Sequence, residues 1–315
     1  MSPEQAALAE IARIAAGVVQ ATPSRVGGDG QRGPDGRTGQ VHGCRIMTLP
    51  GRLHDKAAQV AVRMNPANAP LRELPSDDSL VGPPLRLTLA TSKYWGPSPR
   101  QFSVSFMENT PADLRARIVS HLNAWSATTG MSFAETSGTG EIRISRGPGG
   151  YYSYLGTDIL LIPKDRQTMN LEGFTMNTDE SEFHRVVRHE AGHTLGFPHE
   201  HMRRELVARI DPEKAYRYFL ATQGWPREMV DQQVLTPLED SAILGTPADQ
   251  DSIMCYQLPG EITRDGLPIR GGLDINPSDA AFAATLYPKL SLAPVLSVPG
   301  AVEDWDPSQD VLVSM

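Results

Sequence analysis

The sequence has few cysteines, no long apolar run and no block of positive charge, and each of these absences excludes a class of protein. Cys44 and Cys255 are the only cysteines among 315 residues, too few for a disulfide framework. No stretch approaches the roughly 20 apolar residues of a transmembrane helix. The net charge is −8, so nucleic acid is not an expected partner. A content of 40% hydrophobic and 21% charged residues is typical of a globular domain.

The strongest local signal is the run HEAGHTLGFPHE over residues 189–200, which contains HExxH and continues through a glycine to a third histidine. His189 and His193 are four residues apart, so on a helix their side chains lie one turn apart on the same face. Gly196 tolerates the left-handed conformation of a helix C-cap. The chain can then turn back and bring His199 to the other two histidines.

Three histidines arranged in this way point to a catalytic metal ion. Three neutral imidazoles can hold zinc and leave a fourth position open for water, which is the arrangement of a catalytic site. Glu190 follows the first histidine and is expected to face that water. The alternative is a solvent-exposed helix with incidental histidines, which the agreement of ligand type, spacing and helix break disfavours.

A second run, Ser-Ile-Met-Cys-Tyr over residues 252–256, makes a family resemblance specific. The two runs together resemble the HExxHxxGxxHE motif and the S-x-M-x-Y Met-turn of the metzincin zinc peptidases, and most of all the astacin-like group. The resemblance implies that Met254 is a hydrophobic floor beneath the zinc and that Tyr256 is an additional, movable ligand. It also implies that Glu200 ties down the N-terminus of the processed enzyme. Without the family, Met254 is a core methionine and Tyr256 a partly buried phenol.

The resemblance covers about residues 85–290 and implies an α+β fold. A twisted mixed β-sheet with two long helices would lie over a smaller, irregular lower subdomain, with the active-site cleft between them. Two features depart from the animal enzymes. The span holds one cysteine where they have two disulfides, and position 255, often histidine, is Cys255. The chain is therefore expected to be a divergent member whose substrate contacts cannot be assumed.

The activity that the resemblance implies is zinc-dependent cleavage of protein or peptide substrates bound in extended form. Zinc would polarise the scissile carbonyl and activate a water, and Glu190 would pass the proton of that water to the leaving amine. Tyr256 would help to stabilise the oxyanion. An edge strand of the sheet would pair with the substrate, but the sequence does not identify that strand.

Other functions stay open. One alternative is a zinc-bearing protein-binding module that has the peptidase scaffold but little turnover. Another is a metal-dependent hydrolase of non-peptide amides, which the Met-turn disfavours because it is typical of peptidases.

The positions of these motifs divide the chain into three parts. Residues 1–84 resemble a pro-segment or regulatory region, residues 85–290 the catalytic domain, and residues 291–315 a peripheral tail. The first part is expected to begin with a helix over residues 1–22, followed by a glycine-rich loop over residues 23–40.

Apolar periodicity and capping residues predict the secondary structure of the catalytic domain. Thr110 is expected to cap a helix that has Pro111 at its first position. Strands are expected over residues 85–89, 102–106 and 141–145, further strand-like material over 151–162, and helices over 212–219 and 227–234.

Two residues of the N-terminal part are candidates for holding the enzyme latent. The thiolate of Cys44 is a good zinc ligand, but its neighbours match no latency motif. Asp29 loosely resembles the aspartate of the F-x-G-D segment of astacin pro-peptides, and an ordinary turn aspartate is the alternative. Of the remaining histidines, His201 is interpreted as a surface residue or one behind the ligands, and His184 as structural.

The N-terminus does not match a secretory signal, because it starts without basic residues and because Glu10 and Arg13 interrupt its apolar stretch. The family resemblance nevertheless favours a secreted or exported protein, and a cytoplasmic location is the alternative. No feature of the sequence bears on the oligomeric state.

Overall fold

The computed structural model describes residues 44–69, 89–238, 243–244 and 248–289. Some predictions lie outside these residues: the helix over 1–22, the loop over 23–40 with Asp29, most of the strand over 85–89, and the tail from residue 291. No helix within the described ranges is long and apolar enough to cross a membrane.

The strands form one large mixed sheet and one small antiparallel pair. They are β1 (Cys44–Met47), β2 (Leu89–Ala90), β3 (Arg100–Phe106), β4 (Met131–Glu135), β5 (Ile142–Ser145), β6 (Tyr151–Tyr154), β7 (Met169–Leu171) and β8 (Ile243–Leu244). The large sheet has the order β1-β6-β7-β5-β3-β4, and β2 pairs with β8. Strands β4, β3, β5 and β7 run parallel, whereas β6 is antiparallel to β7. β1 lies on the outer side of β6 and parallel to it.

Eight α-helices occur within the described part of the chain. They are α1 (His54–Met64), α2 (Ala112–Leu122), α3 (Glu180–Glu182), α4 (Arg188–Thr194), α5 (Arg204–Val207), α6 (Pro212–Gln223), α7 (Arg227–Val230) and α8 (Pro277–Leu286). Helix α2 buries an apolar stripe of Leu114, Ile118 and Leu122. Trp125 is buried in the 3-10 turn Asn123–Ala127 that follows.

Several predicted boundaries were wrong. Thr110 does not cap α2, because its hydroxyl donates to the carbonyl of Glu108 and extended Pro111 occupies the N-cap position. Strands β1, β4, β7 and β8 were not predicted. The strand-like stretch over residues 151–162 divides into β6 and a 3-10 turn, Gly156–Leu161. The helix expected over 227–234 divides into α7 and a π-helical segment, Asp231–Leu235.

Buried apolar side chains form two clusters, one on each side of the predicted site. The larger cluster joins the sheet to α2 and α4 and includes Phe102, Ile118 and Trp125. The smaller cluster is built from α5, α6, α7 and later loops, and includes Phe219 and Leu258. The division does not follow the expected subdomains completely, because Met254 and helix α8, which were expected in the lower one, pack into the larger cluster.

The segment over residues 44–69 packs against the larger cluster. Its first strand joins the sheet, and Met47, Leu49, Leu53 and Ala57 are members of the cluster. This segment is therefore part of the folded core, although it precedes the region that resembles a catalytic domain.

Replacement of Leu53 tests that contribution. Leu53 is 5% exposed, so Leu53→Ala is expected to lower the free energy of unfolding by about 2–5 kcal/mol in denaturant titrations of the full chain. Leu220 is 62% exposed, and Leu220→Ala is the control, with an expected change within about 0.5 kcal/mol. Equal effects of the two changes would contradict the packing of the segment into the core.

Candidate metal centre

The helix that carries the predicted ligands is continuous but changes its winding. Helix α3 passes into a π-helical segment, Phe183–Val187, and then into α4. The helix ends at Gly196, which has a φ of +98°. The Gly196 N–H donates to the carbonyl of His193 at 2.8 Å, and the Phe197 N–H donates to that of Gly192 at 3.0 Å. These two bonds are those of a Schellman cap, which turns the chain back toward the helix.

Two tryptophans and a tyrosine hold main-chain carbonyls along this helix. Trp125 Nε1 donates to the carbonyl of Arg188, and Trp95 Nε1 donates to that of Thr194, both at 2.8 Å. The Tyr287 hydroxyl donates to the carbonyl of Leu195. All three rings are buried. No role was predicted for Trp95 and Tyr287, because nothing in their local sequence indicates such long-range hydrogen bonds.

The rings of His189, His193 and His199 converge with defined orientations. His189 Nδ1 lies 2.6 Å from the carbonyl oxygen of Ile253, and His193 Nδ1 lies 2.7 Å from that of Phe197. A carbonyl oxygen only accepts, so both Nδ1 atoms carry the proton and both Nε2 atoms present a lone pair. The Nε2 atoms of His193 and His199 are 3.1 Å apart. His189 Nε2 is buried without a hydrogen-bond partner.

Cys44 completes this group of ligand atoms. Its Sγ lies 3.5 Å from His193 Nε2, and the sulfur and one nitrogen of each histidine all lie within 4.8 Å of one another. Tetrahedral zinc, with nitrogen at about 2.0 Å and sulfur at about 2.3 Å, separates two nitrogens by about 3.3 Å and sulfur from nitrogen by about 3.5 Å. The separations of 3.1 Å between the two nitrogens and 3.5 Å between sulfur and nitrogen are close to these values, so the group fits a zinc ion.

Burial sets the protonation of the group. It lowers the pKa of His189 to about 4 and the pKa values of the other two histidines well below the usual value, so all three rings are neutral at neutral pH. Burial raises the pKa of Glu190 to about 8, although the hydrogen bond from Cys44 and the charges of Arg185 and Arg45 lower it. Burial and Glu190 also raise the pKa of the Cys44 thiol. The thiol therefore keeps its proton and donates it to Glu190 Oε1, 2.8 Å away, unless a cation displaces that proton.

The turn that contains Met254 is tied to both the ligand helix and α8. The Met254 N–H donates to Ser252 Oγ at 3.1 Å. Ser252 Oγ and the Ile253 N–H donate to the two carboxylate oxygens of Asp279 at 2.7 and 2.9 Å. The carbonyl of Ile253 accepts the proton of His189 Nδ1. One residue, Ile253, therefore connects the buried Asp279 carboxylate to a ligand ring through its N–H and its C=O.

The side chain of Met254 is fully buried beneath the ligand helix at Gly192. A Cβ added to Gly192 would lie 2.4 Å from Met254 Sδ and 3.3 Å from Trp125 Cζ2. Only glycine allows this close approach of helix and methionine without a shift of one of them.

Three further residues surround the third histidine, His199. The ring centroid of Tyr256 lies 5.9 Å from that of His199, and the ring of His201 lies 5.0 Å from His199 and 5.3 Å from Tyr256. His201 is 1% exposed, so the surface alternative for this residue was wrong and it packs behind the ligand. The Glu200 N–H donates to the carbonyl of Met254 at 2.9 Å, and its carboxylate accepts from a backbone N–H.

A second group of histidines and acids lies at the start of the ligand helix. His121 Nε2 and His184 Nε2 lie 3.1 and 3.4 Å from one oxygen of Glu180, and His184 Nδ1 lies 2.8 Å from Asp274. The Arg188 guanidinium lies 3.1 Å from His184 and 3.4 Å from His121, and it pairs with both oxygens of Asp274. A metal cation in this group would be repelled by the positive charge of Arg188. We therefore interpret it as an ion-pair network that anchors the helix.

Comparisons with known proteins identify the family. The model of the family Astacin (Peptidase family M12A) matches residues 88–260. A solved structure of myroilysin is 30% identical, with a TM-score of 0.61, and the match covers 64% of this chain and 98% of that chain. High choriolytic enzyme 1, a hatching enzyme zinc-protease from the medaka fish Oryzias latipes, is 20% identical, with a TM-score of 0.40 and coverage of 60% and 90%. Curated protein sequences give no match.

The chain belongs to the astacin family of zinc peptidases. The matched region is more than half of the chain and contains both predicted motifs. The predicted α+β metzincin fold is confirmed, and zinc is the cofactor, in agreement with the fit of the ligand atoms to a zinc ion. The chain is therefore a zinc-dependent peptidase, a hydrolase.

A methyl group at Gly192 is expected to disturb the metal centre. Gly192→Ala should displace Met254 or the helix, lower the free energy of unfolding by about 1–3 kcal/mol and reduce the zinc content of the purified full chain. Metal analysis and denaturant titration measure both effects. Gly138→Ala is the control, because the nearest atom to its added Cβ would be 3.9 Å away. Full zinc occupancy and unchanged stability of Gly192→Ala would show that the contact is not required.

Proposed function

We propose that the chain is a zinc endopeptidase, made as a latent precursor, which cleaves extended peptides in the cleft between its subdomains. The observation that carries this proposal is the convergence of His189, His193 and His199 on one point beside the buried carboxylate of Glu190. A structural metal site needs no such carboxylate, whereas hydrolysis needs a base next to the metal.

The three histidines would hold the metal, and bound zinc would supply Lewis-acid activation of water and of the scissile carbonyl. The sulfur of Cys44 marks a fourth position, 2.8 Å from Glu190 Oε1. A water in place of that sulfur would lie within hydrogen-bond reach of Glu190. Glu190 would accept its proton and deliver it to the leaving amine.

Tyr256 is suited to a supporting role in this reaction. Its ring lies beside His199, and burial raises the pKa of its hydroxyl, so the hydroxyl keeps its proton at neutral pH. A protonated phenol beside a ligand ring can donate to the oxyanion that develops on the scissile carbonyl.

The substrate is expected to pair with β6. In the described fold β1 covers the outer edge of this strand, with Arg45 opposite Tyr152 and Ile46 opposite Ser153. When β1 leaves, main-chain N–H and C=O groups of Tyr151–Tyr154 lose their partners. An extended peptide can then add to this edge as a new strand.

We propose that residues 1–84 are the pro-segment and that Cys44 closes the metal site in the precursor. Three imidazoles and a thiolate are four ligands, the closed set of a structural zinc site, and they leave no position for water. The sulfur also takes the hydrogen-bonding position on Glu190 that hydrolysis requires. Residues 85–290 would form the catalytic domain and residues 291–315 its tail. Asp29, the other latency candidate, lies outside the described residues.

Substitution of Glu190 separates catalysis from metal binding. Glu190→Gln is expected to keep the fold and the zinc but to lower chelator-sensitive hydrolysis of unfolded casein by about 100- to 10,000-fold after activation. His193→Ala is expected to lose zinc itself, as measured by metal analysis. Full activity of Glu190→Gln would remove Glu190 from its assigned role, and equal zinc content in His193→Ala and wild type would remove His193.

Substitution of Cys44 tests the latent state. In the cobalt-loaded full chain, thiolate-to-metal charge transfer should absorb in the near ultraviolet, and Cys44→Ala should lose this band. The unprocessed Cys44→Ala chain should also cleave casein faster than unprocessed wild type. Cys255→Ala, at the other buried cysteine, is the matched control and should keep the band. A band that survives in Cys44→Ala would contradict thiolate ligation.

A protein-binding role without turnover is the second candidate. It is favoured if the processed, zinc-loaded chain shows no chelator-sensitive cleavage of casein. The buried Glu190 beside the ligands argues against it, since binding alone requires no base there. From the family resemblance we also expect export, which detection of the protein outside its cells of origin would test.

A further inference from the structure

β1 is held along both of its edges, by β6 on one side and by the side chain of Gln233 on the other. The Ile46 N–H donates to Gln233 Oε1 at 3.0 Å, and Gln233 Nε2 donates to the Ile46 carbonyl at 3.1 Å. The carboxamide therefore pairs with both main-chain groups of one extended residue, as a neighbouring strand would. These bonds involve no side-chain atom of Ile46.

Gln233 is fixed relative to the metal ligands. It is 5% exposed and lies in the π-helical segment Asp231–Leu235 of the lower subdomain. His201 Nε2 donates to the main-chain carbonyl of Gln233 at 3.0 Å, and the His201 ring lies 5.0 Å from that of His199. The carboxamide thus projects from a buried backbone that is tied to the surroundings of a ligand.

On the basis of the proposed function, we infer that Gln233 binds the main chain of the substrate on the side opposite β6. After β1 leaves, its carboxamide binds the N–H and C=O of one substrate residue, while β6 binds the residues on either side of it. This division follows from the strand itself, because the main-chain groups of successive residues point to opposite edges. The carboxamide is buried with β1 in place, and after β1 leaves a peptide backbone can replace water as its hydrogen-bond partner.

A carboxamide suits both the pro-segment and a substrate. It carries one acceptor and one donor side by side, which match the N–H and C=O of an extended residue. A peptide of the opposite polarity presents the same two groups in the reverse order. Half a turn about the terminal torsion of the glutamine exchanges Oε1 and Nε2 and restores the match. Gln233 therefore accepts β1, which is parallel to β6, and a substrate of either polarity.

The position of this contact along the substrate follows from β1. Ile46 lies two residues beyond Cys44, whose sulfur belongs to the metal group, so the bound substrate residue lies about 7 Å from the residue at the metal. Two hydrogen bonds to main-chain atoms are expected to contribute about tenfold to kcat/KM. They select no side chain, so Gln233 adds affinity without restricting the substrate sequence.

A backbone scan of a peptide substrate tests the inference. Zinc-loaded enzyme, activated from the full chain, is assayed on one parent peptide and on versions with a single N-methylated amide at each position. Wild type should lose about threefold in kcat/KM, the share of one of the two bonds, at one position two residues from the cleaved bond, in addition to losses at the positions that face β6. Gln233→Met should lower kcat/KM on the parent about tenfold, mainly through KM, and should abolish the loss at that one position.

Two further variants complete the test. Gln233→Glu keeps the acceptor but loses the donor, so it should stay sensitive to N-methylation at that position and should lower kcat/KM on the parent about threefold. This loss on the parent is the readout if Gln233→Met does not fold. Gln232→Met is the matched control, because Gln232 is exposed and its carboxamide donates to the Thr48 hydroxyl of the pro-segment at 3.0 Å. An unchanged scan in Gln233→Met, or an unchanged kcat/KM on the parent in both Gln233 variants, with wild type active, would overturn the inference alone. A wild type that cleaves no peptide with zinc bound would overturn the proposed function as well.

Discussion

The site depends on two hydrogen bonds in which an imidazole Nδ1 donates to a main-chain carbonyl. They decide which nitrogen of His189 and of His193 faces the metal group, because the proton on Nδ1 leaves the lone pair on Nε2. The two carbonyls are positioned by different means. The Schellman cap at Gly196 positions the carbonyl of Phe197. The carboxylate of Asp279 binds the N–H of Ile253 and thereby positions the carbonyl of the same residue. Zinc tolerates ligand displacements of only about 0.2 Å, so both supports matter for metal binding.

In the proposed mechanism of latency, the precursor and the active enzyme would use the same polar groups. One short strand, β1, pairs with the outer edge of β6, binds the carboxamide of Gln233 and contributes the sulfur of Cys44 to the metal group. Loss of the strand exposes these groups to water, and an extended substrate can take its place because it also offers a backbone with two edges. The proposed latency therefore needs no separate inhibitory surface.

The sequence predicted those parts of the site that depend on local spacing. The helical interval between His189 and His193 and the glycine at position 196 needed no knowledge of the tertiary structure. The place of Cys44 could not be predicted in this way, because it lies 146 positions before Glu190 and reaches it only by β1 pairing. Gln233 belongs to no sequence motif, so its contact with β1 could not be predicted. The error at Thr110 has a local cause, since its hydroxyl bonded a preceding carbonyl instead of the helix.

Asp279 shows why a local motif does not reveal a long-range contact. With Asn276 it forms a capping box at the start of α8. The same carboxylate accepts the Ile253 N–H and the Ser252 hydroxyl from a turn 26 and 27 residues away. Burial raises its pKa to about 6, so the main-chain and hydroxyl donors around it must compensate for the loss of water. Met254 and Cys255 of that turn belong to different apolar clusters. The cap of α8 thus positions the point where the two subdomains meet beneath the metal.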